Sequence, residues 1–104
     1  MFTEIPRFTT PKLEVATKEE FNPVLQDTRV DKKTGKTILR HYGTKSLFNY
    51  GMFPKTWENA SVKDKELNCF GDNDPLDVVE MSGEIFKTGD LRSVKVLGCL
   101  CLID

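Results

Sequence analysis

Short apolar stretches separated by turn-forming residues run along most of the chain, a pattern typical of short strands joined by turns. No segment sustains a helical period, so we expect little helix. One mostly polar stretch, residues 62–67, predicts at most a single helical turn. Seven segments are predicted to be extended: 3–8, 12–17, 22–26, 37–41, 48–53, 78–81 and 94–103.

The loops between these segments carry their own signals. Residues 31–36 are polar and include Gly35, which predicts a hairpin loop whose returning strand is 37–41. Ser82 with Gly83, and residues 88–90, are predicted as turns. Pro23 places the third extended segment at a sheet edge, because proline has no backbone N–H to donate to a neighbouring strand.

The last predicted strand is the most apolar part of the sequence and is followed only by Asp104. A strand of this kind needs neighbours on both sides, since an exposed apolar edge promotes aggregation. The sequence therefore gives the expectation of a single domain, residues 1–104, that stops partway through its fold.

Composition narrows the class of protein. The 104 residues carry a net charge of −1 and a sequence pI near 5.8, which argues against a general nucleic-acid binder. Ten aromatic residues argue against disorder. No apolar run is long enough to span a bilayer, and the N-terminus lacks the pattern of a signal peptide. Three cysteines without a C-x-x-C motif favour reduced thiols and predict a cytoplasmic protein.

The strongest chemical signal is the acidic segment Gly-Asp-Asn-Asp-Pro-Leu-Asp at residues 71–77. Asp72, Asp74 and Asp77 place three carboxylates within six residues, and such carboxylates repel each other unless a cation neutralises them. Oxygen ligands favour Mg²⁺, Mn²⁺ or Ca²⁺ over zinc. Because Asp, Asn and Pro are also ordinary turn formers, a plain surface turn stays an equally open interpretation. The spacing does not fit an EF-hand.

A second signal is dispersed over the chain. Lys12 and Glu14 have same-face strand spacing, and Arg40 and Tyr50 fall on separate predicted strands. Converging cations and hydroxyl groups are what a phosphate site requires. Each residue also has a simpler interpretation. Lys12 and Glu14 can form a solvated ion pair, Arg40 can be a surface charge, and Tyr50 can be a core aromatic. Trp57 is expected to pack in the interior.

Five segments occur in one order and together resemble the family I soluble inorganic pyrophosphatases of the eukaryotic type. They are residues 4–7 (EIPR), 12–15 (KLEV), 22–28 (NPVLQDT), 49–58 (NYGMFPKTWE) and 71–78 (GDNDPLDV). The resemblance implies a mainly β fold, an OB-like and highly twisted antiparallel barrel that is incomplete here. It also implies Mg²⁺-dependent hydrolysis of inorganic diphosphate to two orthophosphates, by water that a metal has activated.

The resemblance implies roles for single residues. Asp72 and Asp77 are expected to bind Mg²⁺, and Asp74 to orient or deprotonate the attacking water between two metals. Glu14 is expected to hold water of the metal shell. The expected phosphate ligands are Lys12 and Arg40, with Tyr50 as a catalytic and substrate-binding hydroxyl. Glu4 is expected only to support the site.

Two departures keep an alternative open. Family members continue well beyond residue 104 with further metal and phosphate ligands, and residues 41–47 differ from the family pattern, with Ser46 where a tyrosine is frequent. The alternative is a truncated, non-catalytic relative that binds metal or phosphate or self-associates. A nucleic-acid binder is a weaker third hypothesis. The resemblance also implies a homodimer. The net charge and the lack of a long apolar run predict no nucleic-acid or membrane partner.

Overall fold

The computed structural model describes residues 1–103, which form seven short strands in three antiparallel sheets. The strands are β1 (Phe2–Ile5), β2 (Leu13–Val15), β3 (Val24–Gln26), β4 (Thr28–Val30), β5 (Thr37–Leu39), β6 (Asn49–Met52) and β7 (Asp77–Glu80). No helix occurs in this part of the chain. The expectation of a mainly β, incomplete barrel is confirmed, because the sheets do not close on one another.

The central sheet has the order β1-β6-β7, with Gly51 in the middle strand facing Thr3 on one side and Val78 on the other. A bulge between Thr3 and Ile5 leaves Glu4 as the extra residue of β1. Bulges of this kind redirect a side chain. The Glu4 carboxylate accepts a hydrogen bond of 2.7 Å from the Val15 backbone and so ties the sheet to the first hairpin.

The other two sheets are hairpins, β2-β3 and β4-β5, joined at one residue, Asp27. The second hairpin closes through the polar loop expected from the sequence. Its Asp31 side chain accepts hydrogen bonds from Lys33 N (2.9 Å) and Thr34 Oγ1 (3.0 Å). Every residue of β4 and β5 is exposed, so this hairpin projects from the rest of the chain.

The apolar core is small. Met1, Val78 and Phe86 form its buried cluster, and Phe53 and Val94 pack against it from the side. Many larger apolar side chains remain outside this cluster and are exposed. The burial available for stabilisation is therefore limited, as expected for a short chain.

Hydrogen bonds of one fully buried asparagine offset part of the limited apolar burial. The Asn49 side chain donates to Glu80 Oε2 (2.7 Å) and to the Glu84 carbonyl (2.9 Å). Its oxygen accepts from the backbone N–H groups of Arg7 and Phe86, each at 3.0 Å. All the hydrogen-bonding capacity of this amide is used, which is the condition for burying it without a large penalty.

One expectation about secondary structure is wrong. Residues 94–103 form no strand; their apolar character signals a need for burial, but no neighbouring strand of the described chain pairs with them. Residues 62–67 belong to the single turn that the sequence allowed, in which Asn68 N donates to the Asp64 carbonyl at 2.9 Å. The Asp64 carboxylate there accepts from Glu66 N and Leu67 N, each at 2.9 Å, and this capping closes a single turn.

The remaining predicted strands are confirmed in position, although most are shorter at their ends than the sequence pattern suggests. The described residues include no helix with the length and apolar character needed to cross a bilayer.

Candidate active site

The acidic loop, residues 71–77, is held by backbone bonds to the segment that follows β6. Glu58 N donates to the Asp74 carbonyl and Asn73 N donates to the Glu58 carbonyl, each at 2.8 Å. Phe53 N donates to the Leu76 carbonyl at 2.9 Å. The loop is not extended, since Asp72 Oδ1 accepts from Asp74 N at 3.0 Å and bends the chain. The acidic residues are therefore part of a fixed turn that lies against another segment.

Gly71 allows this close contact. A β-carbon on Gly71 would lie 2.4 Å from the Glu58 carbonyl carbon and 2.5 Å from its oxygen, which is closer than real atoms approach. Asn73, in the same loop, has a positive φ of 62°, a conformation that asparagine tolerates better than most residues. The local backbone geometry thus explains why glycine and asparagine occupy these two positions of the motif.

Replacing Gly71 with alanine is expected to push the acidic loop away from Glu58. Overpacking of this kind costs about 1–3 kcal/mol of unfolding free energy. We expect a lower melting midpoint and faster proteolytic cleavage within residues 71–77. Gly83→Ala is the matched control, because nothing lies within 4 Å of a β-carbon there. Equal melting midpoints for the two variants would contradict this account of the loop.

A cavity of about 310 Å³ opens between the acidic loop, β1, β2 and β6. Its polar lining consists of five carboxylates, two phenols and one ammonium group: Glu4, Glu14, Asp72, Asp74, Asp77, Tyr42, Tyr50 and Lys12. The cavity brings together every site residue expected from the sequence except Arg40. Residues far apart in the chain meet at this cavity. The bulge places Glu4 in its lining, and the pairing of β6 with β7 places Asp77 beside Met52.

The carboxylates of the cavity perturb one another. Partial burial raises the pKa of Asp74, and repulsion from Asp72, Glu14 and Asp77 raises it further. Burial also raises the pKa of Glu4, although the bond from the Val15 amide opposes the shift. These directions show that the cavity disfavours additional negative charge and would be stabilised by a cation.

One basic group, the Lys12 ammonium, also lines the cavity. Lys12 forms ion pairs with Glu14 and, at 2.9 Å, with Asp27. Burial lowers the pKa of the Lys12 ammonium, but the hydrogen bonds to Glu14 and Asp27 outweigh this and raise it. Arg40 Nη1 lies 2.5 Å from the same Asp27 oxygen, so Arg40 is linked to the cavity through Asp27 and Lys12.

Two tyrosines contribute hydroxyl groups. Burial and a hydrogen bond with Asp77 raise the pKa of Tyr50 far above its ordinary value, so its hydroxyl stays protonated at neutral pH. Burial also raises the pKa of Tyr42. Tyr42 was not expected in the site. It belongs to residues 41–47, the segment that departs from the family pattern, and it gives the cavity a second phenol.

The donor set fits a hard divalent cation. All the acidic donors offer carboxylate oxygen, and their mutual repulsion is the condition that Mg²⁺ or Mn²⁺ relieves. Among residues 1–103, no three His, Cys, Asp or Glu side chains already converge closely enough to hold a metal ion. The roles of Asp72, Asp74, Asp77 and Glu14 as metal ligands accordingly remain predictions.

Sequence reasoning missed some features of the site. Asp27 lies within a segment that carried the family resemblance, but nothing in its spacing indicated contact with both Lys12 and Arg40. Burial and repulsion from Asp72 raise the pKa of Glu58, which also was not singled out. The expectation for Trp57 is wrong. Trp57 is 52% exposed and borders a second opening beside Asp72 and Asp74.

Comparison with known proteins matches this chain to one family over its whole length. The family described as inorganic pyrophosphatase matches residues 1–104. The mouse protein named inorganic pyrophosphatase 2, mitochondrial, is 45% identical over 105 residues, which cover all of this chain and 31% of the mouse protein. The inorganic pyrophosphatase of Eremothecium gossypii is also 45% identical, with 36% of its length covered.

Solved structures give the same relationship. The type I inorganic pyrophosphatase of Toxoplasma gondii superposes with a TM-score of 0.75 at 38% identity, covering 86% of this chain and 38% of that one. A truncated vacuolar soluble pyrophosphatase of Trypanosoma cruzi, solved in complex with PPi, gives a TM-score of 0.74 at 39% identity, covering 85% and 31%. The chain spans about a third of the length of the curated relatives it matches.

Proposed function

Since the chain belongs to the inorganic pyrophosphatase family, we propose that its function is the metal-dependent hydrolysis of inorganic diphosphate to two orthophosphates. The observation that carries this proposal is the cavity that the carboxylates of the acidic loop and the Lys12 ammonium line together. Carboxylates and a cation in the lining of one cavity suit a substrate that is itself anionic and arrives with divalent metal. That the related Trypanosoma cruzi structure was solved with PPi supports the same substrate.

In this proposal, basic and acidic residues have different roles. Lys12 and Arg40 bind phosphate oxygens, and the protonated Tyr50 hydroxyl turns from Asp77 to donate a hydrogen bond to one of them. Asp74 takes a proton from the attacking water, a role helped by the upward shift of its pKa. Water attacks one phosphorus atom, the bond between that phosphorus and the bridging oxygen breaks, and the bridging oxygen leaves with the other phosphate.

We propose Mg²⁺ as the metal that Asp72, Asp77 and Asp74 would hold, and Glu14 would orient water beside it. When bound, the metal would neutralise phosphate charge and lower the pKa of the attacking water. Glu4 supports this arrangement from behind, because its carboxylate fixes the Val15 backbone at 2.7 Å and thereby the strand that carries Glu14.

The test is phosphate release from diphosphate by the purified chain, with Mg²⁺ and after removal of divalent metal by EDTA. We expect release that requires metal and returns when Mg²⁺ is restored. Zn²⁺ and Ca²⁺ in place of Mg²⁺ probe the choice of ion. Metal binding by calorimetry without any phosphate release would instead support the alternative, a non-catalytic relative that only binds metal or phosphate.

The nucleic-acid hypothesis is separated by a different measurement. It requires oligonucleotide binding that weakens with salt and is independent of Mg²⁺. The hydrolase proposal requires neither property. No stripe of basic side chains lines the cavity among the described residues, where Lys12 is the one ammonium group.

We also propose that the protein is a homodimer in the cytoplasm. Exposed apolar side chains support association, among them Phe21 at 92% and Leu100 at 85%. Sedimentation over micromolar concentrations tests the assembly, and a single monomeric species would contradict it. Cell fractionation tests the location; the mouse relative is named as mitochondrial, so organelle fractions belong in that experiment.

A further inference from the structure

Three segments that are distant in sequence meet in a closed ring of backbone hydrogen bonds. Lys12 N donates to the Arg40 carbonyl at 3.1 Å, and Arg40 N donates to the Asp27 carbonyl at 2.8 Å. Asp27 N then donates to the Lys12 carbonyl at 2.8 Å, which completes the ring. Lys12 precedes β2, Asp27 separates β3 from β4, and Arg40 follows β5. We call this arrangement the Lys12–Asp27–Arg40 ring.

The side chains of the same three residues form a second set of contacts. Asp27 Oδ2 accepts from Lys12 Nζ at 2.9 Å and from Arg40 Nη1 at 2.5 Å. Its other oxygen accepts from Thr28 N at 2.7 Å, so the carboxylate cannot rotate freely. One fixed oxygen therefore holds two long cationic side chains at the same point. The Lys12 hydrogen bond, first among several, lowers the pKa of Asp27, so the carboxylate is charged at neutral pH.

We propose that Asp27 is a positioning residue, which sets the directions of Lys12 and Arg40 for binding the two phosphates of the substrate. This inference rests on the proposed function and adds a residue to that site. Asp27 itself is not in the lining of the cavity, so it acts through the two cations and does not touch diphosphate.

The physical reason is pre-organisation. Lysine and arginine side chains have high rotamer entropy, and immobilising each during binding has an entropic cost. Asp27 restricts both before the substrate arrives. Without its charge, Lys12 keeps its ion pair with Glu14, while Arg40, whose side chain is 43% exposed, points into solvent. Removing the negative charge also removes competition for the two cations, an effect of opposite sign that the binding measurement weighs against the loss of side-chain order.

The experiment is Asp27→Asn, measured by calorimetric binding of methylenediphosphonate in the presence of Mg²⁺. This analogue has a P–C–P bridge and is not hydrolysed. Asparagine keeps the backbone ring and the acceptor for Thr28 N, so the fold is retained, which a thermal melt verifies. We expect binding about 10-fold weaker, from the loss of two pre-ordered side chains. Binding equal to or tighter than wild type would overturn the proposal.

Asp31→Asn is the matched control. It makes the same change in the loop between β4 and β5, at a carboxylate that bonds Lys33 N and Thr34 Oγ1 but neither cation. We expect its affinity for methylenediphosphonate to equal that of wild type. A loss equal to that of Asp27→Asn would overturn the proposal, because it would show a general effect of hairpin charge.

A double-mutant cycle separates positioning from a purely structural role. In an Arg40→Gln background, one of the two positioned cations is already absent, so Asp27→Asn should weaken binding only about 3-fold. Full additivity would overturn the proposal. If the wild-type chain itself does not bind methylenediphosphonate, the proposed function fails. Nuclear magnetic resonance of the Lys12 ammonium and Arg40 guanidinium then decides the inference separately: unchanged side-chain order in Asp27→Asn overturns it.

Discussion

Replacing Asp74 with asparagine is expected to reduce Mg²⁺-dependent phosphate release by about 1000-fold, the range associated with loss of a general base. The change keeps the shape of the side chain and leaves the backbone bonds of the loop, including the one from Glu58 N to the Asp74 carbonyl. Loss of activity would therefore report the chemistry of the carboxylate and not the position of the loop. Phosphate release measured over time, with matched protein concentrations, gives the ratio directly.

The same substitution should raise the melting midpoint when no metal is present. The pKa of Asp74 is raised in the folded chain, so folding favours its protonated form and the ionised form destabilises the fold at neutral pH. Asparagine removes that destabilisation. Asp64→Asn is the control, at a carboxylate that caps a turn outside the cavity. Retained phosphate release in Asp74→Asn would show that another group accepts the proton.

A second large effect is expected for Gly51→Ala, this time on stability. A β-carbon on Gly51 would lie 1.9 Å from the Phe2 carbonyl oxygen and 3.1 Å from the Thr3 Cα. Backbone atoms cannot move aside as a flexible side chain can, so β1 must separate from β6. We expect a loss of about 3 kcal/mol or more, at the upper end of overpacking effects. For a chain of this size, that corresponds to a fall in melting midpoint of roughly 15 °C.

Gly43→Ala serves as the control for this prediction, because nothing lies within 4 Å of a β-carbon at that position. Circular dichroism during heating measures both variants under the same conditions. A Gly51→Ala melting midpoint within about 3 °C of wild type would mean that the contact between β1 and β6 is looser than the structure shows.

Local patterns in the sequence were sufficient for most of the strands. The same-face spacing of Lys12 and Glu14 correctly anticipated their ion pair, since strand geometry fixes which side chains lie on one face. The prediction of a polar loop before β5 was also correct, because Asp31 and Gly35 fit the conformations that the loop needs. In these cases the information is contained within a few neighbouring residues.

Features that depend on distant partners could not be obtained in this way. The buried Asn49 bonds to Arg7, Glu80, Glu84 and Phe86, and no spacing rule connects these positions. The predicted strand at 94–103 failed for a related reason: an apolar run indicates burial, but a strand also needs a partner with free backbone groups. Clustering of the acidic loop with Lys12 came from the family resemblance and not from local spacing.

The Lys12–Asp27–Arg40 ring has a consequence for engineering the protein. The hairpin of β4 and β5 leaves the ring at Asp27 and returns at Arg40, so its tip is mechanically separate from the cavity. Extra length at an exposed loop tip adds little closure entropy. A peptide tag or fluorophore inserted between Thr34 and Gly35 would then leave the distance between the two cations unchanged. The projecting hairpin is thus a natural attachment point for immobilising or labelling the molecule.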